Sequence, residues 1–256
     1  MISWVAGAEL FAAAFVAGGV NAVAGGGTLL TFPALLSLGF PANIANATST
    51  VALFPGQVSA LTALRGHLAG ARALAPMLVA IGTSGGLLGA WWLTRTPVRV
   101  FEKVVPFLIL GATVLFLVQE PLARRLRQPV EGEERVRWTP GVLLLLAIVA
   151  IYGGYFGAGI GILTLAALGM VGLRDIHRMN AVKAIFTMGA NGVASAWFLL
   201  RGMADPVAVL PMLVGTTLGG YAGARFGQRI GKGNVRRVVV AIGLILGATQ
   251  LIKAFG

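Results

Sequence analysis

The sequence predicts an all-α polytopic membrane protein made of two inverted repeats of about five hydrophobic segments each. Three observations predict it. Apolar residues make up 57% of the chain and charged residues 11%, against roughly 25% charged in an average soluble domain. The hexapeptide Leu-Ile-Leu-Gly-Ala-Thr occurs at 108–113 and again at 244–249, at the same place in the last apolar run of each half. Lys and Arg fall mostly in short connections that a single face of such a protein would share.

The apolar runs follow in order. The first, 4–23, has no basic residue ahead of it and its first charge is Glu9, so it reads as a retained span and not a cleaved signal. The second, 28–40, is short, follows Gly25-Gly26-Gly27 and contains Pro33; it is expected to be broken or re-entrant. The third, 44–64, opens on the polar group Asn46-Ala47-Thr48-Ser49-Thr50, and 74–94 and 98–118 complete the first half. Residues 120–138 form the one long hydrophilic stretch and read as a cytoplasmic linker between repeats at 1–119 and 139–256. The second half repeats the first as 140–160, a short 161–173, 180–200, 206–224 and 235–255. Gly25 and Gly27 correspond to Gly159 and Gly161, Asn46-Ala47 to Asn180-Ala181, and Gly82-Thr83 to Gly215-Thr216.

Charge placement orients the copies. If all ten runs cross with the linker inside, Lys and Arg at positions 65, 72, 124, 125, 127, 135, 137, 174, 178, 183, 225, 229, 232, 236 and 237 are inside, fifteen in all, against five outside at 95, 99, 103, 201 and 253. If instead the two short runs were re-entrant and did not cross, the counts would be nine inside and eleven outside. The first arrangement obeys the positive-inside rule. Five segments per copy is an odd number, so the second copy is inverted relative to the first and both termini lie outside. The net charge of +12 is then a property of cytoplasmic loops and implies no nucleic-acid partner. All five Trp fall near predicted run ends, as interfacial indoles do.

A broken backbone with free N–H and C=O groups is tolerated within a membrane only where protein or a water-filled cavity surrounds it. The two glycine clusters therefore mark a candidate binding site, offering amide donors and the positive ends of short helices to an anion. The expected site comprises Gly25, Gly26, Gly27, Asn46, Thr48, Ser49 and Gln57 from the first copy, with Gly159, Gly161, Asn180, Lys183 and Asn191 from the second. Lys183 stands where Ser49 does in the repeat, at the start of a run, where an ammonium must snorkel, pair or meet an anion. Catalysis and metal binding find no support. There is no Cys, no carboxylate pair has metal-ligand spacing, His67 and His177 sit in basic connections, and Glu9 is the only carboxylate well inside a run. No cofactor is implied.

The stretch Gly25–Thr50, the repeated glycines at 157–161 and the segment 179–202 together resemble the sulfite exporter TauE/SafE family of bacterial membrane proteins over nearly the whole chain. The second copy departs from the fuller pattern: 157–161 reads Gly-Ala-Gly-Ile-Gly, Ala167 stands for Pro33, and Val182-Lys183 for Thr48-Ser49. The resemblance implies a multi-pass inner-membrane transporter exporting sulfite, sulfoacetate or related organosulfonates. A transporter of a different small anion and a non-transporting scaffold or assembly factor are the alternatives, and a membrane enzyme comes third for want of catalytic groups. The expected partners are a small anion and the lipid bilayer, and a homodimer is open to the chain.

Overall fold

The structure, a computed structural model, describes residues 3–23, 25–63, 74–126, 138–173, 176–226 and 232–255. Among them are ten helices and no strand: α1 (Trp4–Val23), α2 (Thr28–Ser37), α3 (Ala42–Ala63), α4 (Ala75–Arg95), α5 (Val98–Leu126), α6 (Pro140–Tyr155), α7 (Ile160–Met170), α8 (Ile176–Leu200), α9 (Pro206–Phe226) and α10 (Lys232–Phe255). The expected linker residues 127–137, His67 and the loop cations at 65, 72, 174 and 229 lie outside the described residues.

Several helix boundaries have a local cause. α6 begins at Thr139, whose hydroxyl caps Val142 N–H, with Pro140 at the first position. It ends at Tyr155 because Gly157 and Gly159 take positive φ, where a side chain would be strained. α9 begins at Asp205, whose carboxylate accepts from Ala208 N–H at 2.8 Å. α5 runs eight residues past the expected end at 118, because apolar patterning marks where a run leaves lipid and not where the helix stops.

α1, α4, α9 and the Val98–Val118 part of α5 are each long and apolar enough to cross a bilayer. α3 and α8, at 22 and 25 residues, are as long but more polar, because their Asn, Ser, Thr and Lys side chains face the interior. α2 and α7 have 10 and 11 residues and rise about 15 and 17 Å, half of a roughly 30 Å hydrocarbon core. Neither is long enough to cross by itself.

The helices pack in pairs that exchange when first-half elements are swapped for second-half ones. α1 lies on α9 as α6 lies on α4, and α3 lies on α9 as α8 lies on α4. α3 and α8 run antiparallel: Ser195 Oγ donates to Thr50 O at 3.3 Å, and a methyl on Gly192 would meet the Phe54 ring at 2.9 Å. α5 and α10 do the same, a methyl on Gly243 striking Thr113 and one on Gly247 coming 2.5 Å from Leu110 Cδ2. Both copies of the repeated hexapeptide thus face each other.

Glycine stripes set these close approaches. A methyl on Gly86 of α4 would lie 2.5 Å from Ala190 O of α8, and one on Gly215 of α9 would lie 2.5 Å from Phe11 O of α1. Backbones this close gain dispersion and Cα–H···O contacts, the main attraction left between helices once lipid removes the hydrophobic drive. Val16, Phe107, Leu144, Ile148, Leu210 and Leu218 form part of an exposed apolar girdle suited to lipid, with Trp4 and Trp92 exposed at helix ends.

Candidate functional site

Each half carries one helix break, and the two breaks touch. Gly25 and Gly161 are both buried. A methyl on Gly25 would sit 3.2 Å from Gly161 Cα, and one on Gly161 would sit 3.4 Å from both Gly25 Cα and Lys183 Cδ. Gly25 needs its positive φ of 71° and has little room for a side chain against Gly161, whereas a methyl on Gly161 would make ordinary contact.

Side chains hold both breaks open. In the first, Asn21 O accepts from Gly25 N–H at 3.1 Å and Asn21 Oδ1 from Gly26 N–H at 3.2 Å. Those two amides are therefore engaged within the break, and Gly25 contributes bare backbone surface to the site. In the second, the Tyr152 hydroxyl donates to Ala158 O at 2.6 Å. Tyr152→Phe is expected to lower stability by about 1–2 kcal/mol, the cost of an orphaned buried carbonyl, read as an earlier thermal unfolding transition in detergent.

Beside the touching breaks lies a cavity of about 40 Å³. Its walls come from α1 (Asn21, Ala22), the first break (Gly25), α3 (Gln57, Ala60), the start of α7 (Ile160, Gly161) and α8 (Asn180, Lys183, Ala184, Thr187, Asn191). Lys183 is 7% exposed and Asn191 6%. Gln57 Oε1 is buried with no hydrogen-bond partner, so its amide has unused capacity toward the cavity. Ile160 and Gly161 are the first two residues of α7; the Ile160 N–H is taken by Gly157 O at 3.3 Å, and the helix dipole places positive charge at this end. Among the described residues no carboxylate lines the cavity, and Glu9 is exposed on α1. The chemistry of the walls is one buried ammonium, several amides and a helix N-terminus, a set that stabilises negative charge.

Of the twelve expected site residues, Gly25, Gln57, Gly161, Asn180, Lys183 and Asn191 line this cavity. The others are placed elsewhere. Gly26 packs against the Phe116 ring and Gly27 against Ala17 O, while Gly159 takes a positive φ as the N-cap of α7. Asn46 Nδ2 donates to Tyr155 O at 2.9 Å, Thr48 Oγ1 accepts from Asp205 N–H at 3.0 Å, and the Ser49 and Thr31 hydroxyls pair at 2.5 Å. Asn21 was missed by the sequence reasoning. Its signal was an Asn four residues ahead of a triple glycine, a residue type that bonds nearby backbone in place of helix.

A profile of the family described as sulfite exporter TauE/SafE matches residues 10–249. The chain is 31% identical over 246 residues to a probable membrane transporter protein of Haemophilus influenzae, covering 95% of this chain and 94% of that one. It is 29% identical to the probable membrane transporter protein ORF9 of Sinorhizobium sp, over 93% and 90% of the two chains. It is 27% identical to the probable membrane transporter protein YfcA of Escherichia coli K12, over 96% and 90%. No solved structure matches the chain. The chain belongs to the sulfite exporter TauE/SafE family, a family of membrane transporters, and is a multi-pass protein of the bacterial inner membrane.

Proposed function

We propose, with that membership as premise, that this transporter exports a small sulfur-containing anion, sulfite or a simple sulfonate, through the cavity between the two breaks. The observation that carries the reading is the nine-tenths-buried Lys183 lining one cavity with Asn180, Gln57, Asn191 and the start of α7, a lining without a carboxylate among the described residues. A small anion held there would meet this ammonium together with the amides around it, and hydrogen bonds from a charged donor are the stronger kind. An interior negative by 100 mV favours exit of a monovalent anion by about 2.3 kcal/mol, so voltage suffices to drive export without a coupling ion. Other small anions meet the same walls, and they form the second reading.

The repeats at 1–119 and 139–256 are proposed to be inverted, with the linker inside and both termini outside. Antiparallel α3 and α8, and antiparallel α5 and α10, support this. The chain has no Cys, so single cysteines report cleanly: one near the N-terminus and one in the linker are expected to label from opposite sides of oriented vesicles, and labelling from one side would refute inversion.

Binding is tested by thermal unfolding of the purified protein with sulfite, sulfate, thiosulfate, sulfoacetate and chloride. A ligand at a hundredfold excess over its Kd adds about 2.7 kcal/mol to the native state, a rise of roughly 5–10 °C for a chain of this size. Sulfite is expected to give such a rise and chloride none. Stabilisation by a different anion favours the second reading, and stabilisation by no anion favours a scaffold.

A further inference from the structure

Three buried polar atoms without partners remain outside the cavity: Asn43 Oδ1, Asn46 Oδ1 and Trp197 Nε1. They lie at the start of α3 and the end of α8, which meet because the two helices are antiparallel, with Ser195 against Thr50. The cavity lies toward the other end of the same pair, at Gln57 and Ala60 of α3 and Asn180 to Asn191 of α8. Native proteins seldom leave buried polar atoms unpaired, so a group of them at one end asks for a cause.

The repeat supplies one. Asn46 corresponds to Asn180, Ser49 to Lys183, and Gln57 to Asn191. In the described conformation Asn180, Lys183, Gln57 and Asn191 line the cavity, whereas Asn46 and Ser49 are fully buried, held by Tyr155 O and by Thr31. Exchanging the conformations of two inverted repeats turns the opening to the opposite side of the membrane. The partners of Asn46 and Ser49 sit at the second break and on α2, the parts such an exchange moves.

We propose that Asn46 and Ser49, still flanked by Gln57 and Asn191, form the anion's second half-site, occupied when the protein opens on the side opposite the cavity seen here. This rests on the anion-transport reading above. The two half-sites differ in kind. On the side where α8 starts, the anion meets an ammonium; on the other it meets only amides and a hydroxyl. Affinity is therefore unequal on the two sides, high at capture and low at release, and release falls on the side where α3 starts.

Single cysteines at Ala184 and Ser49 in the Cys-free chain test it, using a charged thiol reagent on oriented vesicles with sulfite as the ligand. Ala184→Cys is expected to label from the linker side, with sulfite slowing it about tenfold. Ser49→Cys is expected to label only from the opposite side, at a rate that changes at least threefold when sulfite permits turnover. Labelling of both from one side, or no labelling of Ser49→Cys in a variant that still transports, overturns the proposal. Asn46→Ser provides a second readout: sulfite flux is expected to fall about tenfold while equilibrium affinity stays within about twofold of wild type. An equal loss of affinity in Asn46→Ser and Lys183→Ala would mean one shared site and would also overturn it. If wild type binds none of the anions, the transport reading itself fails and this proposal falls with it.

Discussion

Lys183→Ala is expected to weaken sulfite binding roughly thirty- to hundredfold while leaving the protein folded. Lys183 is 7% exposed, lines the cavity and lays its stem along Gly161. A hydrogen bond to a charged group contributes about 2–3 kcal/mol when its partner would otherwise be stranded, and each 1.4 kcal/mol is tenfold in affinity. The thermal transition of the variant, measured alongside, separates an effect on the fold from the effect on binding. Lys183→Arg is expected to recover part of the affinity, since charge is kept while the planar fork fits a lysine-shaped wall poorly. Isothermal titration on both variants separates this from a lysine whose only task is topology, which predicts unchanged affinity with altered insertion.

The largest expected effect on the fold comes from Gly86→Val and its counterpart Gly220→Val. A methyl at Gly86 would come 2.5 Å from Ala190 O and 2.7 Å from Ala190 Cα, and one at Gly220 would strike the Gly56 backbone. These obstacles are backbone, so no rotamer change relieves them and the helices must separate. Separation forfeits contacts along α4 and α8 or α3 and α9, and about 3 kcal/mol or more is expected to be lost in each case. Gly111→Ala is the matched control. Nothing lies within 4 Å of its added methyl, and exchanging an interior helix glycine for alanine should stabilise by about 0.5–1 kcal/mol. Yield of monodisperse protein and the midpoint of thermal unfolding read out all three.

Hydrophobic runs and glycine breaks were legible in the sequence because they follow from what lipid tolerates. That is why α2 and α7 were expected to be short, and why the break at Gly25 was expected to matter. Lateral facts were not legible. A repeat says that Asn46 and Asn180 are equivalent, but only packing decides that Asn180 turns to the cavity while Asn46 reaches Tyr155 O. The same holds for Ser49, whose hydroxyl finds Thr31, a residue the second copy replaces with Leu165. Asn21 went unnoticed since its partners, the amides of Gly25 and Gly26, are local and have no periodic signature. The glycines of α4 and α9 read as packing residues in general terms; which backbone each one meets required the three-dimensional arrangement.

The central claim, that this cavity carries an anion out by means of Lys183, is tested most directly by sulfite efflux from proteoliposomes under a potassium-diffusion potential with no pH or sodium gradient. Wild type is expected to release sulfite faster as the interior is made more negative, and Lys183→Ala to lose at least nine-tenths of that voltage-driven flux at sub-saturating sulfite. Efflux that ignores voltage, or that is the same in Lys183→Ala as in wild type, would contradict it.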